Sequence, residues 1–235
     1  MSYSEPKATN PATKFIEFRD GKFQYFDKST EANVTIDLPI YFIVLDELST
    51  ISGYCEKTKS GIFSNEVHRT SEEILNVRTF KGGEQIIGLY KDISDAIARI
   101  GGKFTKSVYA LLLNEVGDTE LVNFKFRGAS FSGWIDKKFN PEKHAVGIIE
   151  TVEATKGKTV YQVPIFKPFK ITPEQDETAR AADTELQAYL KTYKAIQAES
   201  EKIETVEVEE VEDARELSNI NGIPGTVDDI SELPV

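Results

Sequence analysis

Phe15-Ile16-Glu17-Phe18-Arg19-Asp20-Gly21-Lys22-Phe23-Gln24-Tyr25 sets the class of fold. Asp-Gly is a strong two-residue hairpin signal, because both central residues of a type I′ turn need positive φ. A two-residue loop at Asp20-Gly21 pairs Phe18 with Phe23 and Ile16 with Tyr25. Four apolar side chains then share one face, where cross-strand neighbours stabilise one another. The chain therefore opens as antiparallel β structure.

The same rhythm continues downstream. Val34, Ile36 and Leu38 alternate as a strand that Pro39 ends. Ile40 to Leu48 is a near-continuous apolar run, as expected of a strand buried on both faces. From Ile74 to Phe80, Leu75 and Val77 face one way while Asn76, Arg78 and Phe80 face the other. Val108 to Leu113 and Leu121 to Phe126 read as strands around a Gly117-Asp118 turn. Val122, Phe124 and Phe126 share one face of the second, and Asn123, Lys125 and Arg127 share the other. Ile148 to Val152 and Thr159 to Phe166 flank a hairpin signal at Lys156-Gly157. One short helix is expected over Ser94 to Ile100, with Ile93, Ala96, Ile97 and Ile100 as its stripe and Gly101 at C′. Seven or eight short strands without a βαβ alternation favour a small antiparallel barrel or sandwich.

Thr172-Pro173-Glu174-Gln175 is a helix start, with an N-cap, Pro at N1 and Gln at N3 for a capping box. Ala179, Ala182, Leu186, Tyr189, Leu190, Tyr193 and Ile196 then recur at helical spacing. This predicts a helix to about Ala198 that docks on the β domain or on a second copy, which leaves room for a homo-oligomer. The expected organisation is disorder over 1–13, a β domain over 14–170, a helix over 171–200 and a disordered acidic tail over 201–235.

The chain has 235 residues, 39 Asp/Glu against 28 Lys/Arg and a net charge of −11. The acid is gathered at one end. Residues 171–235 hold 17 Asp/Glu and 5 Lys/Arg, a net of −12. The first 170 residues hold 22 acids and 23 bases, a net of +1. A per-segment reading therefore removes the charge objection to a nucleic-acid partner. No apolar run approaches the roughly 20 residues of a membrane helix, so no membrane partner is expected. The N-terminus shows neither the basic nor the apolar part of a secretory signal. The single cysteine, Cys55, cannot form an internal disulfide or a Cys-based zinc cluster.

Enzymatic motifs are sparse. Gly101-Gly102-Lys103 lacks the first glycine of a phosphate-binding loop and follows a helix instead of opening one. His68 and His144 have no metal-ligand spacing. Asp46, Glu47 and Glu66 are the carboxylates on which a metal-dependent nuclease would have to be built. No cofactor and no catalytic residue are expected.

Cations set among aromatics form a second pattern. A single-strand binder needs cations that displace counterions from phosphates and aromatic faces on which bases stack. Tyr54, Phe63, Phe104, Tyr109 and Trp134 are the candidates for stacking. Lys57, Lys59, Arg69, Arg78, Lys103, Lys106, Lys125 and Arg127 are the candidates for phosphates. The acidic tip Asp228-Asp229-Ile230-Ser231-Glu232-Leu233-Pro234-Val235 combines acid with apolar residues. Asp228, Asp229, Ile230, Glu232, Leu233, Pro234 and Val235 are its candidate partner-binding residues.

Several stretches carry a resemblance. They are Leu45-Asp46-Glu47-Leu48-Ser49-Thr50-Ile51-Ser52-Gly53-Tyr54, Ser60-Gly61-Ile62-Phe63-Ser64-Asn65-Glu66-Val67, Gly101-Gly102-Lys103-Phe104-Thr105-Lys106-Ser107-Val108-Tyr109 and Phe126-Arg127-Gly128-Ala129-Ser130-Phe131-Ser132-Gly133-Trp134-Ile135. With the helix from Asp183 to Tyr193, they resemble a family of single-stranded DNA-binding proteins of tailed bacteriophages built on the OB-fold. The resemblance spans about Phe15 to Tyr193. It implies an OB-fold-like barrel with extra strands and sequence-tolerant binding of single-stranded DNA. It also implies a place in phage DNA replication or recombination, in the cytoplasm of the infected bacterial host. The acidic tip is similar in kind to those of bacterial single-strand binders, which implies recruitment of replication or recombination proteins or competition with DNA. It ends Leu-Pro-Val where those end in an aromatic residue. The alternative from another class is a virion structural or adaptor protein that uses the helix and tail for protein contacts.

Overall fold

The computed structural model describes residues 9–114, 118–141 and 145–220, with 198–220 as backbone alone. The acidic tip from Asp228 to Val235, Gly117 and His144 lie outside the described residues. Among the described residues the chain is mainly β, with three helices and one mixed sheet of 11 strands.

β1 (Lys14–Arg19) and β2 (Lys22–Asp27) form the expected hairpin, and β3 (Ala32–Ile36) pairs with β2. Ile16 stands opposite Tyr25 and Phe18 opposite Phe23. Asp20 and Gly21 take φ of 50° and 76°, as a primed turn requires. β4 (Ile40–Cys55) is 16 residues long and outruns the apolar stretch that predicts it. β5 (Ser60–Ser64), β6 (Leu75–Thr79) and β7 (Gln85–Gly88) follow, then α1 (Tyr90–Ile100) and β8 (Gly102–Leu113). The last elements are β9 (Thr119–Phe126), α2 (Ala129–Ile135), β10 (Ala145–Lys156), β11 (Thr159–Phe169) and α3 (Pro173–Ile220).

Hydrogen-bonded neighbours run β3-β2-β1-β9-β8-β4-β5-β6-β7, and β10 joins β4 and carries β11. The β1–β9 pair is parallel, so the sheet is mixed where an antiparallel one was expected. Parallel neighbours need a long crossover, and here the seven strands β2 to β8 and α1 intervene. β4 is the shared strand. It pairs with β8 from Tyr41 to Gly53, with β10 at its start and with β5 at its end. A bulge between Val44 and Asp46 bends it, as extra residues in a ladder do.

The main core joins the β1–β2 hairpin to the β10–β11 hairpin. Ile16 and Phe23 from β1 and β2 pack in one cluster with Phe42, Phe124, Phe126, Trp134, Ile148 and Phe166. A second cluster sets Ile51, Ile62, Leu75 and Val77 against Ile93 and Ile97 of α1. Gly101 ends α1 with φ 94°, the left-handed conformation in which glycine carries no Cβ penalty. α2 was not expected, because Gly133 and the two serines among its seven residues are weak formers of a helix interior.

The capping box of α3 forms as the sequence predicts. The Thr172 N–H donates to Gln175 Oε1 at 3.0 Å, and the Gln175 N–H donates to Thr172 Oγ1 at 3.2 Å. Leu186 and Leu190 pack in a cluster with Leu48, Tyr109 and Ala12, and Ala179 packs with Ile43 and Leu111. α3 continues to Ile220, past the expected end near Ala198, with 201–220 described as backbone alone. Glu, a good helix former, is the commonest residue there, and no Gly or Pro intervenes before Gly222. The N-terminal segment also differs from expectation. Ala12 is buried, and the Thr13 N–H donates to the Leu121 carbonyl at 2.9 Å. The compact units divide between Leu190 and Lys191, which assigns the first part of α3 to the β unit. Among the described residues, no helix is long and apolar enough to cross a membrane.

Leu186 is fully buried. Leu186→Ala is expected to destabilise the β unit by about 2–5 kcal/mol, read as a lower urea midpoint. An unchanged midpoint would mean that α3 is not docked in solution.

Candidate nucleic-acid interface

Side chains alternate across a strand, so the pairing register carries each face from one strand to the next. Phe124, Val108 and Ile16 belong to the apolar face, which lies on the main core. The opposite face is polar and aromatic. On β4 it shows Ser52 and Tyr54, and Ser52 stands opposite Phe63 of β5 and Lys103 of β8. Phe63 in turn stands opposite Arg78 of β6, and Arg78 opposite Gln85 of β7.

The aromatic part of this face depends on a glycine. Tyr54 stands opposite Gly61. The Phe80 N–H donates to the Gly61 carbonyl at 3.0 Å, and the Phe80 ring packs closely over Gly61, where a Cβ would meet it at 3.1 Å. With no side chain on Gly61, Phe80 lies across β5 beside Phe63, ring centroids 4.6 Å apart and planes at 36°. Phe80 is 72% exposed, Tyr54 50% and Phe63 39%. Exposed rings this close together form an apolar patch of the kind that marks an interaction surface.

Arg127 follows β9 on the same face. Its guanidinium donates to Ser52 Oγ at 3.3 Å and to Glu17 Oε2 at 3.0 Å, which ties β4 to β1. Thr105 Oγ1 lies 2.7 Å from Ser52 Oγ. These contacts hold the fork at the middle of the sheet, where planar donors suit phosphate oxygens. Lys103 is exposed beside it.

The other half of this face is covered. α3 and the N-terminal segment lie over Leu48 and Tyr109. A buried polar network sits beneath them. Lys125 Nζ donates to Glu66 Oε1 at 2.5 Å and to Ser107 Oγ at 2.8 Å. Ser107 Oγ and the Tyr109 hydroxyl donate to the two Glu66 oxygens at 2.6 and 2.8 Å. Asn10 Nδ2 donates to the Tyr109 hydroxyl at 3.0 Å. Burial alone would push the Glu66 carboxyl up, but the Lys125 ammonium and the donors around it hold it below the usual carboxylate range. Burial, followed by the Glu66 carboxylate, raises the Tyr109 hydroxyl far above its ordinary value.

The expected binding residues thus part company. Tyr54, Phe63, Arg78, Lys103 and Arg127 share the open face. Trp134 and Tyr109 are fully buried and present no ring face to a base. Trp134 instead stacks on Phe126 in the main core, centroids 4.9 Å apart. Phe104 lies on the core side, edge-on to Tyr90 and Phe131. The Lys125 amine is held by Glu66. Lys106 stands opposite Phe126, so it belongs to the core-side register. Lys57 and Lys59 in the β4–β5 turn pair with Glu84 and Glu56, and Arg69 pairs with Glu72. The carboxylates of the nuclease reading also disperse. Asp46 faces His68, Glu47 accepts from Trp134 Nε1 and Glu66 holds Lys125.

Phe80, the most exposed ring on this face, is missing from the expected binding residues. The alternation of Asn76, Arg78 and Phe80 was its signal, since it already placed Phe80 beside Arg78.

Glu66→Gln removes the charge that Lys125 faces. The expected loss is about 3–5 kcal/mol at neutral pH, since an unpaired buried charge remains. Because the folded pKa of Glu66 lies below the ordinary 4.5, the pair stabilises fully above that pH and loses its effect as pH falls through the folded value. Urea unfolding across pH should show the gap between wild type and variant narrowing below 4.5, whereas a constant gap would contradict the pairing.

Comparison of the chain with family models, with curated proteins and with solved structures finds no match.

Proposed function

We propose that this chain is a non-enzymatic, sequence-tolerant single-stranded DNA-binding protein. The observation that carries the reading is the Phe63–Phe80 ring pair with Tyr54, exposed on the same sheet face as Arg78, Lys103 and Arg127. Rings of this kind stack on any base, because every base has a π-face. The flanking cations supply the electrostatic part of binding without reading sequence. Rings exposed on an open sheet face suit unpaired bases, which offer π-faces to stack on, better than the base edges of a duplex groove.

The finer reading of the fold is an OB-like barrel with added strands. The long bulged β4, shared by β8, β5 and β10, supports it, as does a core common to β1, β2, β10 and β11. The resemblance to tailed-phage single-strand binders supports a role in coating strands exposed during phage replication or recombination. On this reading the chain works in the cytoplasm of the infected host. The acidic segment then recruits replication or recombination proteins or competes with the bound strand.

Fluorescence anisotropy with labelled oligo(dT), duplex and RNA across a salt series tests the proposal. The expected result is a preference for single strands, with a log–log salt slope of about −0.7 per neutralised phosphate. Phe80→Ala should raise Kd for oligo(dT) by about 5- to 150-fold, the worth of one stacked base. Arg78→Ala should make the salt slope shallower by about 0.7 for each phosphate it no longer neutralises. Equal affinity for duplex, or no change in Phe80→Ala, would overturn the reading.

A further inference from the structure

The polar face does not stop at Arg127. Glu17 of β1 stands opposite Lys125 of β9 and Gln24 of β2, which carries the face onto the first hairpin. Along β1, Phe15, Glu17 and Arg19 share it. Along β2, Lys22, Gln24 and Phe26 do. Phe15 is 45% exposed and Phe26 58%, while the alternate residues Ile16 and Phe23 are buried in the main core. Arg19 stands opposite Lys22. The sheet therefore bears two aromatic lobes on one face, Phe63–Phe80 with Tyr54 at one side and Phe15 with Phe26 at the other.

The region between the lobes is cationic and connected. Glu17 Oε2 accepts from the Arg19 guanidinium at 2.7 Å and from Arg127 at 3.0 Å. One carboxylate thus holds two guanidiniums on the face, and each guanidinium has more N–H donors than this partner can take. Lys103 and Arg78 continue the line of cations toward β6. From β6 to β2 the path crosses β5, β4, β8, β9 and β1. Strands about 4.8 Å apart make that roughly 30 Å along the sheet.

We propose that Phe15 and Phe26 form a second stacking subsite for the same single strand, reached across Arg127 and Arg19. This rests on the single-strand-binding reading above and extends it from one lobe to a track. The occupant is single-stranded nucleic acid because the patch continues the candidate interface and shares its sheet face with Arg19, Lys22 and Arg127. An apolar peptide would satisfy the rings and leave those cations unused.

Track length makes the test. Oligo(dT) of about 5 nucleotides spans one lobe, and about 16 nucleotides, the upper end for a single OB domain, spans both. Kd is measured for both lengths in wild type, Phe15→Ala, Phe26→Ala and Phe80→Ala, with thermal unfolding as the control for folding. In wild type, lengthening should tighten binding. In Phe15→Ala or Phe26→Ala, that gain should shrink by about 5-fold or more, the lower end of the worth of a stacked base, whereas Phe80→Ala should weaken both lengths. If both hairpin variants keep the full wild-type gain while Phe80→Ala weakens binding, the second subsite is wrong and the first lobe stands. If wild type binds neither oligo, the underlying reading fails as well. Should either hairpin variant unfold, Arg19→Gln decides the question through the salt slope of the longer oligo, which the track requires to become shallower.

Discussion

The register between β4 and β8 is the constraint on which the rest depends. It holds along nearly the whole length of both strands, from Tyr41–Leu113 to Gly53–Gly102. A slip of one residue would exchange the two faces of every strand it touches. Either Phe42 of β4 or Val108 and Ala110 of β8 would leave the main core, and polar residues of the opposite face would take their place. The bulge between Val44 and Asp46 is part of the same constraint. It switches the alternation of β4, so that Phe42 and Val44 face the core side before it and Ile51 faces that side after it, while Ile43 and Leu48 meet the side covered by α3. Both layers of packing and the open polar face follow from this one ladder.

Much of the local structure was legible because its signals are local. Asp20-Gly21 fixed a hairpin register that holds residue for residue. Thr172 to Gln175 spelled a capping box, and Gly101 marked the end of α1. The second half of β4 was not legible. Ser49 to Tyr54 reads as polar, although Ser49 and Thr50 are buried and Thr50 Oγ1 is hydrogen-bonded to Ser64. Nor was the docking of Ala12, which depends on a groove assembled from β4, β8 and α3.

The candidate site was half legible for a related reason. Interleaved cations and aromatics identify a type of surface, but composition does not say which rings are buried. Trp134 and Phe104 carry the same label in sequence as Tyr54 and Phe63 and lie on the other side of the sheet. Lys125 is taken up by Glu66, a partner 59 positions away, and only the three-dimensional pairing reveals it. Phe80 was within reach, since the alternation of β6 already placed it beside Arg78.

Glu17 shows why net charge is a poor guide to this face. It is an acid set in a line of cations, and by count it lowers the local positive charge. Its geometry does the opposite of what the count suggests. Arg19 and Arg127 would repel each other if brought together on a bare sheet, and each would sample many rotamers. A shared carboxylate at 2.7 and 3.0 Å offsets that repulsion and draws both forks to one point on the face. Preorganised donors reduce the ordering cost of binding, so an acid at this position can strengthen a phosphate track. The acid of the whole chain is therefore of two kinds. Seventeen of the 39 acidic residues lie in 171–235 against five bases and set the sign of the total, while Glu17 lies within the face, where it holds Arg19 and Arg127.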